Sequence, residues 1–66
     1  MKKVTFPTSP DMAGIWAVMA ETGRGQLGDL MWIVRLNKNG SPSRQARYSK
    51  NISRDSLKTN GVPHHE

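Results

Sequence analysis

The sequence predicts a small α+β domain: an antiparallel sheet with one helix packed on one face. Three observations carry that expectation. Met31 to Leu36 reads as a strand, with Trp32, Val34 and Leu36 alternating against Met31, Ile33 and Arg35, and the turn-rich string Asn37-Lys38-Asn39-Gly40-Ser41-Pro42 precedes a second extended run, Arg44 to Ser49. Met12, Ile15, Trp16 and Met19 recur at i, i+3, i+4 and i+7. The whole chain is 66 residues, enough for one lean domain, residues 1–61 with a frayed tail at 62–66.

The elements follow in order. Val4-Thr5-Phe6 reads as a short strand, near residues 3–6, ended by Pro7. Ser9-Pro10-Asp11 suits a helix start: a capping hydroxyl, a proline at the first helical position and an acid at the positive end of the dipole. The apolar stripe then predicts a helix near 10–22, closed by Gly23. A competing reading makes Ile15–Thr22 a strand, because Gly14 weakens a helix interior by about 1 kcal/mol relative to Ala. Both faces of that strand are apolar, and the fold becomes an all-β meander or small barrel.

A strand near 30–36 and a strand near 44–49 form the hairpin. A two-residue Asn39-Gly40 turn would set Arg35 against Arg44 and leave Pro42 inside the return strand, both unfavourable. A five-residue loop, Lys38 to Pro42, avoids this and pairs Trp32 with Tyr48, Val34 with Ala46 and Leu36 with Arg44. Beyond it, Ser53 caps a short helix near 53–59. Ile52 and Leu57 stand at the two positions of a hydrophobic staple, and Asn60-Gly61 ends the helix.

Composition narrows the function classes. Ile, Leu, Val and Phe number only twelve, so the core is thin and Trp16, Met19, Trp32 and Tyr48 are expected inside it. Cysteine is absent, which removes disulfides and thiolate metal sites and fits a cytoplasmic protein. The only histidines are the adjacent His64 and His65, so no metal and no cofactor is expected. Self-association as a homodimer, or a partner, is the remaining source of added stability. No apolar run approaches the length of a membrane span, and Met1-Lys2-Lys3 is followed by no signal-peptide core.

Charge is divided unevenly. Residues 1–34 carry balanced charge, whereas Arg35, Lys38, Arg44, Arg47, Lys50, Arg54 and Lys58 face only Asp55 and Glu66, so the second half holds the entire net charge of +5. A basic hairpin followed by a basic turn is the footprint of a nucleic-acid contact, DNA before RNA. The expected contact residues are Arg35, Lys38, Arg44, Gln45, Arg47, Lys50, Arg54 and Lys58. The arginines suit phosphate or guanine, and Gln45 suits adenine. The alternative is an adaptor or inhibitor module docking on a larger protein by charge steering or strand addition. Membrane-surface binding needs a basic amphipathic helix, and the candidate helix is nearly neutral.

Other motifs carry less. Gly23-Arg24-Gly25-Gln26-Leu27-Gly28 spells G-x-G-x-x-G, but strand-like residues follow it and no acid lies between Asp29 and Asp55. A flexible loop, with Arg24 available to a phosphate backbone, is the better reading. Asn51-Ile52-Ser53 matches a glycosylation acceptor with no secretory route to use it. No carboxylate or histidine has the partners that acid–base catalysis needs, so no enzyme is expected.

Overall fold

The computed structural model describes residues 2–23 and 29–65, the side chains of Thr22 and Gly23 excepted. The glycine loop with Arg24, and Glu66, lie outside the described residues. The fold is a five-stranded antiparallel sheet with one α-helix. Strands β1 (Lys2–Thr5), β2 (Ile15–Gly23), β3 (Leu30–Arg35) and β4 (Ser49–Ser53) form a meander. Helix α1 (Arg54–Asn60) follows, then β5 (Val62–Pro63), and the strand order is β4-β3-β2-β1-β5. The chain therefore leaves the sheet at one edge and returns at the other, with α1 as the crossing segment.

The predicted helix near 10–22 is a strand from Ile15 onward, preceded only by a 3-10 turn at Pro10–Met12 that the Ser9 side chain does not cap. Two features explain the correction. Gly14 takes a φ of +97°, outside any right-handed helix. Trp16 and Ala17, adjacent in sequence, are both buried, at 1 % and 0 % exposure. A one-sided helix rarely buries consecutive residues equally well, whereas a strand held between two others points them to opposite faces. The apolar stripe is satisfied by either geometry, and flanking strands β1 and β3 decide.

The core lies on the α1 face. Val4, Phe6, Trp16, Ile33 and Leu57 form it, with Met12, Val18, Met31 and Ile52 packed against them. Trp16 meets Phe6 edge-on at a centroid distance of 6.4 Å, and its indole N–H donates to the Met12 carbonyl at 3.2 Å. The C-terminal helix conforms to its sequence signals. The Ser53 hydroxyl accepts from the Ser56 N–H at 3.1 Å, and Ile52 joins the cluster that holds Leu57. Gly61 closes the helix with its N–H on the Leu57 carbonyl at 2.8 Å.

The hairpin register differs from the expected one. Trp32 pairs with Asn51, Ile33 with Lys50 and Val34 with Ser49, a shift of three residues from the Trp32–Tyr48 pairing. Of the strand expected near 44–49 only Ser49 is extended in the sheet: Ala46–Tyr48 is a 3-10 turn, and β4 begins at Ser49. The observed register sets Ile52 across from Met31 on the core face, so two more apolar side chains join a thin core. At the turn, Gly40 at φ +85° gives its N–H to the Asn37 carbonyl, and Leu36 bridges to Pro42. Residues 62–66, expected to fray, begin with a paired segment. Val62 and Pro63 sit opposite Thr5 and Val4, and the His64 N–H reaches the Lys3 carbonyl at 2.9 Å. No helix among the described residues is long and apolar enough to cross a membrane.

Candidate nucleic-acid interface

The register shift creates the site. Between the Leu36–Pro42 bridge and the Val34–Ser49 pair, residues 43–48 stand opposite Arg35 alone. The Ser43 N–H still reaches the Arg35 carbonyl at 2.9 Å, after which the chain departs from the ladder. This excursion exposes Arg44, Gln45, Ala46 and Arg47 and ends at Tyr48.

Tyr48 organises the cations around it. The Arg35 guanidinium lies 4.7 Å from the ring centroid and that of Arg47 lies 4.8 Å away. Each contact is a cation–π interaction, worth about 0.5–1 kcal/mol at an exposed position. The Arg47 Nε–H also donates to the Gln45 side-chain oxygen at 2.9 Å, which holds the Arg47 fork in place. Two like charges held at one ring repel each other, and an anion placed between them relieves that repulsion.

A cleft of about 520 Å³ opens beside the ring. Lys3 from β1, Gly14 and Ile15 at the start of β2, Arg35 and Leu36 at the end of β3, and Asn37, Lys38, Gly40, Ser43 and Tyr48 line it. Lys3, Arg35 and Lys38 bring three cations to it, and none of its described lining residues is a carboxylate. Lys3 was not among the residues expected from sequence, because it reaches the site only through strand pairing. The signal available was the alternation of β1, in which Val4 turns to the core and Lys3 away from it.

Gly14 sets the path of Arg35. A Cβ at this position would lie 2.8 Å from the Arg35 Nε, and the backbone is already at positive φ. Replacing Gly14 with Ala is expected to destabilise the fold by about 1–2 kcal/mol through backbone strain alone. It should also move Arg35 off Tyr48. Denaturant melts read the first effect, and loss of upfield ring-current shifts on the Arg35 side-chain protons reads the second.

The remaining expected contact residues are placed elsewhere. Arg54 faces Glu21 at 2.7 Å and Asp29 at 3.6 Å, so its charge is already matched. Lys58 borders a separate groove with Lys2 and Arg54 beside α1. Lys50 is exposed on β4, across from Ile33. The structure thus gathers Arg35 and Lys38 at one cleft, sets Arg44, Gln45 and Arg47 on the adjoining excursion, and leaves Lys50, Arg54 and Lys58 outside it.

Two side chains expected in the core are more exposed than predicted. Trp32 is 39 % exposed and Met19 42 %. Met19 is the extra residue of a bulge in β2, since Val18 pairs with Ile33 and Ala20 with Trp32. Tyr48 is half-buried at the cleft. Among the described residues, no group of three His, Cys, Asp or Glu side chains is placed to hold a metal ion. Set against protein-family models, curated proteins and solved structures, the chain matches none.

Proposed function

We propose that this protein binds nucleic acid through the Arg35–Tyr48–Arg47 cluster and the basic cleft beside it. One observation carries the reading: two guanidiniums converge on one tyrosine ring, at a cleft that Lys38 also lines. Planar guanidiniums suit phosphate oxygens, and the adjoining ring offers a π-face to a base. Arg44 and Lys38 extend the positive surface along the turn. DNA is the first candidate, and the readout is of backbone charge more than of base edges, because the Gln45 oxygen is already engaged by Arg47.

Fluorescence anisotropy against labelled single- and double-stranded oligonucleotides tests the proposal. Between about 50 and 200 mM salt, the affinity is expected to fall steeply as counterions released on binding are disfavoured. Binding that ignores salt, or no binding at the lower concentration, removes the electrostatic mechanism.

A second reading is favoured by the sheet topology. β4 is an outer strand, which suits a protein partner that adds a strand of its own. In that case Arg44→Ala with Arg47→Ala slows association but leaves a measurable complex with the protein partner.

A further inference from the structure

Trp32 stands out against the economy of this core. The chain has only twelve Ile, Leu, Val and Phe residues, yet leaves its second tryptophan 39 % exposed. An indole can bury on the order of 150–250 Å², so a thin-cored domain gains by enclosing it. The position is no loop accident. Trp32 sits within β3, flanked across the sheet by Ala20 and Asn51. Paired residues share a face, so its immediate cross-strand neighbours are a methyl group and a short amide.

The register also connects Trp32 to the basic cleft. Lys3 pairs with Ala17, Ala17 with Val34 and Val34 with Ser49, a row across one face of the sheet. Trp32 is two residues from Val34 along β3 and so lies on that same face, about 7 Å further along. Lys3, in turn, lines the cleft with Arg35, Lys38 and Tyr48. This face is opposite the one that carries Val4, Trp16, Ile33 and Leu57. Glu21 and Asp29 are drawn to Arg54 instead.

We infer that Trp32 is a base-stacking platform and that the ligand is a single strand. This deepens the nucleic-acid reading above and rests on it. A duplex offers a protein its phosphates and groove edges, with base faces hidden in the stack. An indole on a sheet face reaches a base only when that base is unstacked. Lys3 at the cleft end of this face and Trp32 further along it fit a strand whose backbone is held at the cleft while a base rests on Trp32.

The test uses the full chain, a fluorescein-labelled single strand of about 12 nucleotides, and a duplex of the same sequence. Trp32→Leu keeps an apolar cover on the sheet but cannot stack, and Trp32→Tyr keeps an aromatic face. Trp32→Leu is expected to weaken single-strand binding about 5- to 150-fold, with Trp32→Tyr within about threefold of the parent and duplex binding unchanged. Salt-dependent binding that is equal in the parent and Trp32→Leu overturns the stacking role and leaves the basic-cleft proposal standing. Equal weakening on single strand and duplex overturns the single-strand assignment. Absence of binding to either oligonucleotide at low salt overturns both proposals together.

Discussion

Replacing Lys38, Arg44 and Arg47 together with alanine is expected to weaken oligonucleotide binding by about 100- to 500-fold near 0.1 M salt. The estimate follows from counterion release, in which each phosphate contact adds roughly 0.7–0.9 to the slope of log affinity against log salt. The triple variant should therefore show a slope smaller by about two to three. All three side chains are exposed, and none belongs to the core cluster. Thermal stability should accordingly change little, apart from the loss of the Arg47 contact with Tyr48. Anisotropy titrations across a salt series measure slope and affinity together. An unchanged slope in a folded variant means that these cations do not meet phosphate.

The largest expected effect on stability is at the centre of the sheet. Trp16→Ala should destabilise the fold by about 3–5 kcal/mol. A chain of this size holds only about 3–10 kcal/mol of total stability, so much of the population should unfold. Trp16 is 1 % exposed, meets Phe6 edge-on and donates its indole N–H to the Met12 carbonyl. Its removal leaves a large cavity and an unpaired carbonyl where the turn at Pro10–Met12 joins the sheet. Trp16→Phe should cost less, since it keeps an aromatic ring against Phe6. Urea melts followed by far-UV circular dichroism decide the matter. A loss below about 1 kcal/mol in Trp16→Ala would place the centre of the core elsewhere.

The contrast between the two tryptophans shows how the site became legible only in part. The scarcity of other large apolar residues predicts both in the core. Burial economy correctly placed Trp16, which faces α1 and Phe6. It failed for Trp32 because the partners that would bury a side chain on the other face are set by register. Ala20 is opposite only because Met19 bulges, and Asn51 only because the β3–β4 register is shifted by three residues from the one the turn suggests. Neither fact is local to Trp32. The cation cluster is legible in the sequence, since Arg35, Lys38, Arg44 and Arg47 are dense in the chain and close to one turn. Lys3 comes from the first strand, far from that turn in sequence. Arg54 is equivalent to the others in sequence, and only the fold sets Glu21 and Asp29 beside it.

Short-range physics alone determined that 30–35 is a strand, that a turn falls within 37–42, and the Ser53 cap and Ile52–Leu57 staple. Each depends on residues a few positions apart, and the preference survives in any compatible fold. The expected five-residue loop and Leu36–Arg44 pair, by contrast, give way to a Leu36–Pro42 bridge. Tertiary structure decided that residues 15–23 are a strand, that β4 starts at Ser49, and that Tyr48 gathers Arg35 and Arg47 beside Lys3. The reason is one of competing energies. An apolar stripe of helical spacing also fills a central strand, and a hairpin can slide its register at little local expense. The balance falls to whichever arrangement buries most of a scarce core, and here that means setting Ile52 against Met31 and Trp16 against Phe6.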